Sequence, residues 1–434
     1  MSMVDTRKGL SSLPVNIKDD KIEKNNKSLQ EMHMGMKKRN ATLRTDGRWQ
    51  VYAIIDKKRV ACYGKTEYKA NYAADLKEAH YKKDYTYIEK ISGEKRFIFE
   101  HCFYRYRNYL LFYTKVTNET VDRYEHTYKT YFPGSALNRM DVRKLNSNDV
   151  ANFVIKILKK CEKMTQKEWQ RIQHILKATI NFVFDEELDD DDKQVTSFVD
   201  WEKVKRKAKE TGKIYKPVKK EYAVSLPEKM ILQEKILYEN VYPEKYAHVL
   251  MILINFSLGL RIGELAALKV DDIDMRKHIV YVKQSCKSFK KRDEYGDAIG
   301  GYEYIEGDTK TENGERVIPM SYNAQMLFNV LLQYRKEKGY KSPYLAYDGE
   351  SVRARVRDMT SILHELCDKA DIEAFNSHII RKTFATSLSK SPDIDIATIS
   401  EYMGHAQVST TVNNYLIPAR ETLDDRIRML SKFV

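Results

Sequence analysis

From Arg39 to about Thr66, apolar and polar positions alternate in short runs: Thr42-Leu43-Arg44, Trp49 to Ile55, and Arg59 to Tyr63. A period of two puts alternate side chains on opposite faces of an extended strand. The runs are broken by Asp46-Gly47 and by Asp56-Lys57-Lys58, and Asp-Gly between alternating runs is a hairpin signal, so the spacing predicts a three-stranded sheet. Thr66 to Lys83, with Ala70, Ala73, Ala74, Leu76 and Ala79, shifts to a helical period and predicts a helix covering one face of it. From Phe97 to Glu210 the period stays helical. Phe99, Phe103, Tyr106, Tyr109, Leu110 and Tyr113 make one stripe; Val150, Phe153, Val154, Ile157 and Leu158 a second; Trp169, Ile172, Ile175, Leu176, Ile180 and Val183 a third. Stripes of this kind are core faces, and they predict a bundle of four or five helices. Ser147-Asn148-Asp149 offers an N-cap to the second helix, and Thr165 with Glu168 a capping box to the third. Asp185 to Asp192 is an acidic run that reads as a solvent loop or a protein contact. Lys203 to Lys220, rich in Lys and holding Gly212 and Pro217, reads as an interdomain linker. An apolar helix follows at Val249 to Phe256. At the end of the chain Leu423, Ile427, Leu430 and Phe433 recur at helical spacing.

Composition changes this picture in three ways. The 434 residues exceed what one core holds, so two or three domains are expected. A net charge of +14, from 76 Lys and Arg against 62 Asp and Glu, suits a polyanionic partner, because each neutralised phosphate releases condensed counterions. Cys62, Cys102, Cys161, Cys286 and Cys367 are scattered, which reads as thiols of a reducing compartment and indicates no structural metal. The apolar run from Val249 to Leu260 is too short to span a bilayer and the polar residues 1–37 have no signal-peptide core, so a soluble intracellular protein with a flexible N-terminus is expected, without a membrane partner.

The last third carries the chemistry. Leu258-Gly259-Leu260-Arg261-Ile262-Gly263-Glu264-Leu265, Thr309-Lys310-Thr311 with Gly314, Arg316 and Ile318-Pro319, then His378-Ile379-Ile380-Arg381, Gly404-His405 and Asn414-Tyr415 occur in that order. Planar guanidinium forks bind the non-bridging oxygens of a phosphate in a bidentate way that an ammonium does not match, and Arg261 and Arg381 suit that task. His378 and Arg381, three apart, face the same way on a helix. Glu264, one turn after Arg261, is placed to orient it.

This set of motifs resembles the tyrosine recombinases, the integrases of phages and conjugative transposons, from about Glu221 to Tyr415, with weaker similarity upstream. The resemblance implies a multidomain α+β protein: residues 38–88 as an arm-type DNA-binding domain of a small sheet plus helix, 95–210 as a helical-bundle core-binding domain, 211–225 as a basic linker, 226–419 as a mostly helical catalytic domain with a small β-sheet and hairpin, and 420–434 as a tail helix. Tyr415 becomes the nucleophile that forms a 3′-phosphotyrosyl bond, His378 its proton acceptor, Lys310 at a hairpin tip the acid for the leaving 5′-oxygen, and His405 the completion of the phosphate shell. Lys287, Lys290 and Lys291 compete with Lys310. Arg44, Arg48, Lys57, Lys58 and Arg59 are implied DNA contacts of the arm sheet, Lys205 and Lys207 of the bundle's end, and Lys382 stands where many relatives carry a second His. No cofactor is implied. Implied partners are double-stranded core and arm attachment sites, three further copies in a synaptic homotetramer, a direction-setting factor and a host DNA-bending protein, in a bacterial cytoplasm on the nucleoid. A chromosome-dimer-resolving recombinase, a type IB topoisomerase and a catalytically silent DNA-binding regulator on the same scaffold stay open as alternatives.

Overall fold

The computed structural model describes residues 36–188, 199–216, 224, 232–233, 245–308, 314–347, 349 and 355–414. Its contacts form two compact units, residues 1–217 with 289–302, and residues 218–288 with 303–434.

The first unit opens with strands β1 (Thr42–Leu43), β2 (Trp49–Ile55) and β3 (Lys58–Gly64), antiparallel in that order. Asp56 and Lys57 are both left-handed, with φ of 49° and 59°, the conformation of a two-residue turn whose twist matches the strands. Lys58 therefore belongs to β3, one residue earlier than the alternation suggests. Val51, Ala53 and Cys62 point inward onto Ala70 and Ala74 of α1 (Glu67–Lys82), and their small volume lets helix and sheet approach closely. Thr66 caps α1 through the amide of Lys69. A short helix α2 (Tyr85–Ile91) leads to the bundle: α3 (Phe99–Tyr113), α4 (Asn118–Tyr131), α5 (Ser147–Lys160), α6 (Gln166–Phe182) and α7 (Trp201–Glu210). The three predicted stripes lie in one core. α4 is added to it by Val121, Tyr128 and Phe132, stacked on Phe103 and Phe99.

Five expectations change here. The cap of α5 is Asn146, one residue before the predicted segment, and Asp149 closes its capping box. At α6, Thr165 caps through the amide of Glu168, but the Glu168 carboxylate accepts from Tyr131 Oη instead of completing a box. The acidic run is not all solvent: Glu187 is buried, bidentate to the equally buried Arg105 at 2.6 and 2.7 Å, and accepts from Tyr68 Oη at 2.7 Å. Residues 189–192 lie outside the described set. The lysine-rich segment from Lys203 is helical up to Glu210 with Val204 and Ala208 buried, and β5 (Ile214–Tyr215) pairs in parallel with β4 (Met164–Thr165), so residues through 215 belong to the bundle. Met36 and Lys37, read as part of a flexible terminus, are also fixed: Met36 is in the bundle core, and the Lys37 amide donates to Asp75.

The second unit is built on α8 (Tyr246–Leu258), apolar all round because all sides are covered. It packs with α10 (Tyr322–Glu337), α11 (Val356–Lys369) and α12 (Ser377–Leu388) in one core that also takes in α9 (Ile262–Ala267). No described helix is long and apolar enough to cross a membrane. A small sheet of β6 (Ile273–Asp274), β7 (Ile279–Val282) and β10 (Arg316–Pro319) runs in the order β10-β7-β6, with Arg316 opposite Val282 and Pro319 opposite Ile279. Between β7 and β10 in the chain runs a hairpin of β8 (Gln284–Arg292) and β9 (Ala298–Asp308), where no strand was predicted; its residues 289–302 belong to the first unit. The unit ends with α13 (Ile396–Met403) and α14 (Val408–Asn414). Val412 to Asn414 are the last residues of α14. Lys310, Tyr415 and the tail at 420–434 lie outside the described residues.

Candidate active site

The site forms around the C-terminal end of α13. The last carbonyls of a helix have no partner within it and carry its negative dipole end, so they attract donors and cations. Three consecutive carbonyls here are each taken by a different arginine. Arg316 Nε donates to the Tyr402 oxygen at 2.7 Å, Arg381 NH2 to the Met403 oxygen, and Arg261 NH2 to the Gly404 oxygen at 3.2 Å. Gly404 ends the helix in the left-handed conformation, which turns the chain directly into His405.

Arg381 is fully buried on α12. Its NH1 donates to the Gly259 carbonyl at 2.7 Å and its NH2 also meets His405 Nε2 at 3.1 Å. A guanidinium only donates, so Nε2 accepts and the proton of the neutral ring sits on Nδ1, which donates to Thr411 Oγ1 at 2.8 Å. Burial, then Arg381, Arg261 and Arg316, push the His405 pKa down to about 4, with Glu264 opposing them weakly. The ring is neutral at pH 7. In this arrangement His405 Nε2 is an acceptor, so its expected contribution to a phosphate shell requires Arg381 NH2 to turn away first.

Gly259 caps α8 at φ 61°, and buried Asn255 clamps the turn by accepting from the Leu260 amide at 2.7 Å and donating to the Leu260 carbonyl at 3.2 Å. Arg261 leaves this turn with its side chain 29% exposed. Its NH1 donates to Glu264 Oε1 at 2.7 Å, and the other carboxylate oxygen accepts from Arg316 NH2 at 2.8 Å. Burial would raise the Glu264 pKa, but Arg316 and Arg261 outweigh it and hold the carboxyl below its ordinary value. His378 lies near the start of α12, whose Asn376 cap accepts from the His378 amide. The ring reaches the surface, yet partial desolvation, then Arg381 and Arg261, lower its pKa. Lys382 is half-buried beside Arg381 on the same helix.

The structure thus gathers Arg261, Arg381 and His405 about one turn, with His378 within electrostatic reach of both arginines. Arg316 and Thr411 were not read as site residues in the sequence. The signal for Arg316 was available: it shares the inward face of β10 with buried Ile318, and an inward arginine on an alternating strand needs a buried acid. Of the competing lysines, Lys290 is held in the first unit, its Nζ 3.5 Å from Glu125.

In the first unit, Arg44 and Arg48 both lie over the Tyr63 ring on the face of the sheet opposite α1, and both reach Asp46. Lys57, Lys58 and Arg59 are exposed, as are Tyr52 and Ile54 on that face. Lys205 and Lys207 on α7 pair with Glu202 and Glu210 at helical spacing, which leaves them less available than free surface cations.

Residues 232–421, which hold every candidate catalytic position named above, match the model of the phage integrase family. The chain resembles the tyrosine recombinases. It is 26% identical over 322 residues to a tyrosine recombinase XerC-like protein of Caldanaerobacter subterraneus subsp. tengcongensis, a match that covers 70% of this chain and 75% of that one. It is 26% identical over 216 residues to the transposase of transposon Tn916 from Enterococcus faecalis, covering 46% of this chain and 49% of the transposase, so it spans about half the length of that relative. Its fold is that of the Tn1549 transposon integrase, solved in complex with a circular intermediate DNA, with a TM-score of 0.57 at 18% identity over 77% of this chain and 99% of that one.

Proposed function

We propose that the chain is the site-specific integrase and excisionase of a mobile element, cutting and rejoining DNA through a 3′-phosphotyrosyl intermediate and a Holliday junction. The observation that carries this is the convergence of Arg261, Arg381 and His405 on the end of α13, four to five residues before the helix that leads to Tyr415. In this reading the Tyr415 hydroxyl gives its proton to His378, whose lowered pKa keeps it neutral and able to accept at pH 7. The phenolate oxygen bonds to phosphorus as the bond to the 5′-oxygen breaks, and the Lys310 ammonium hands that oxygen its proton. Arg261 and Arg381 carry the charge that builds on the non-bridging oxygens. The strand is rejoined by the reverse steps with a new 5′-hydroxyl, so the bond energy is kept and no cofactor enters.

Around this centre, residues 38–88 act as the arm-binding domain, 95–210 as the core-binding domain and 226–419 as the catalytic domain, with the segment between bundle and catalytic domain as linker. The arm assignment is supported by the exposed face of the sheet, where Arg44, Arg48 and Arg59 flank Tyr52, Ile54 and Tyr63. That face also favours a mobile-element integrase over a chromosome-dimer-resolving enzyme. The working form is a homotetramer on two duplexes, assisted by a direction-setting factor and a host DNA-bending protein on the bacterial nucleoid. The test is trapping on a nicked duplex carrying the element's end. Wild type should accumulate a covalent protein–DNA adduct, and Tyr415→Phe should form none while binding DNA within roughly a factor of a few. An adduct in Tyr415→Phe removes Tyr415 from the role, and no adduct in the wild type returns the chain to a DNA-binding regulator.

A further inference from the structure

We infer that Thr411 is a positioning residue for this reaction: it fixes the His405 ring so that the nitrogen facing Arg381 is an acceptor, and through that ring it holds an arginine of the phosphate clamp. The proposal rests on the reading above for the role of Arg381 towards phosphate. Thr411 lies on α14 and is fully buried. Of the side chains described in that helix it alone is buried, while Val408 and Val412 stand 44% and 43% exposed. A helix packed for stability alone would do the reverse, because valine and threonine are nearly the same size and a hydroxyl taken out of water costs free energy unless it finds a partner. Here the partner is His405. Its Nδ1 lies 2.8 Å from Thr411 Oγ1, so the chain that leaves α13 through Gly404 and His405 comes back upon the same ring one helix later.

A neutral imidazole carries one proton, and the nitrogen that holds it decides what the other can do. Nε2 of His405 is 3.1 Å from Arg381 NH2, which can only donate. Nε2 therefore offers its lone pair and the proton sits on Nδ1. Thr411 Oγ1 accepts from that Nδ1–H and favours this form over the other, in which Nε2–H would meet the guanidinium donor against donor. Burial and the surrounding arginines hold the His405 pKa down to about 4, so a second proton does not arrive at Nε2 near pH 7. The Gly259 and Met403 carbonyls, which also receive Arg381, are acceptors in every state. His405 is an acceptor only while Nε2 is bare, and Thr411 keeps it so.

Thr411→Val keeps the size of the side chain and removes the hydroxyl, whereas Thr411→Ser keeps the hydroxyl. On ordinary nicked DNA the valine variant should form the covalent adduct roughly 10- to 10²-fold more slowly than wild type, since the Nδ1 donor is left buried without its acceptor and the ring no longer holds Arg381. The serine variant should stay within roughly a factor of three of wild type, because the same hydrogen bond is available to it. On a duplex whose scissile phosphate is a methylphosphonate, a neutral methyl replaces one charged non-bridging oxygen, and a group that serves the clamp matters less. There the deficit of Thr411→Val against wild type should shrink at least about fivefold. Thr360→Val is the control, the same change at a hydroxyl that donates to the Val356 carbonyl within α11. Whatever activity it loses should be lost equally on both substrates. Equal deficits of Thr411→Val on the two substrates, or none, overturn the proposal. Should the valine variant not fold, NMR of wild type carrying nitrogen-labelled histidine decides, with the His405 signals identified by their loss in His405→Asn: near pH 7 the proton should be on Nδ1, and a proton on Nε2 overturns the proposal. Those results would leave the wild-type adduct, and with it the assignment of the enzyme, untouched.

Discussion

Gly259→Ala separates what the site owes to a single backbone position. Gly259 has φ 61°, and a Cβ built there lies 2.3 Å from Cδ1 of Phe384. Gly339 in the same unit has φ 68° and nothing within 4 Å of its Cβ position. The left-handed conformation costs a residue with a Cβ roughly 1–2 kcal/mol, and Gly339→Ala should lose about that. At Gly259 the same cost is joined by a collision well inside the roughly 3.5–4.0 Å of a normal carbon contact. Phe384 has little room to retreat: it is buried in a small cluster with Ala385, Ile399 and Met403. Overpacking of that kind costs roughly 1–3 kcal/mol more, so Gly259→Ala should lose about 2–5 kcal/mol in all. The larger effect is on chemistry. Gly259 presents its carbonyl to Arg381 NH1, and Phe384 pushed aside presses on Met403, whose carbonyl receives Arg381 NH2. Both anchors of Arg381 move, and adduct formation should fall on the order of 10²-fold. The measurements are urea midpoints and single-turnover cleavage of nicked DNA for both variants. Matching midpoints with wild-type cleavage in Gly259→Ala would mean that Phe384 and the Gly259 turn do not hold Arg381.

Two further outcomes follow from buried charge. Glu187→Gln leaves Arg105 buried without its carboxylate and should destabilise the protein by roughly 3–5 kcal/mol in urea unfolding; a change under about 1 kcal/mol would show that the pair is not buried as described. His405 has a folded pKa pushed down to about 4 from an ordinary 6.5, so the unfolded chain takes up a proton that the folded one refuses. Its contribution is complete above about pH 6.5 and is lost as pH falls towards 4, and His405→Asn should flatten the decline of stability between pH 6.5 and 4, with an unchanged slope counting against the assignment.

Much of the architecture could be read from period alone. Alternation at Trp49 to Ile55 and the stripes beginning at Phe99, Val150 and Trp169 all became the elements they predicted, because the strand buries one face against α1 and the three stripes each bury one face in the bundle core. The errors fall where a side chain has two possible partners. Asn146, Ser147 and Asp149 are all good capping residues, and the choice among them is made by which one ends in extended backbone, which periodicity does not report. Glu168 was free to complete a capping box and instead serves Tyr131, a residue 37 positions away. Glu187 looks like its acidic neighbours in the sequence and differs only in facing Arg105, 82 positions earlier.

The candidate site divides along the same line. Arg261, His378, Arg381 and His405 were legible because their local spacing is part of the motif, and the fold brings three of them to one helix end. What joins them was not legible, since the acceptors are main-chain carbonyls of Gly259, Tyr402, Met403 and Gly404, and every residue in a sequence carries a carbonyl. A helix end offers several such acceptors in a fixed arc only where its chain terminates, which Gly404 in the left-handed conformation determines. The glycine in Gly404-His405 therefore serves the arginines as much as the histidine: it stops α13 so that the Tyr402, Met403 and Gly404 carbonyls remain open for guanidinium donors, and it turns the next residue towards Arg381. The two-residue motif thus specifies both the helix end that seats three arginines and the buried histidine beside Arg381.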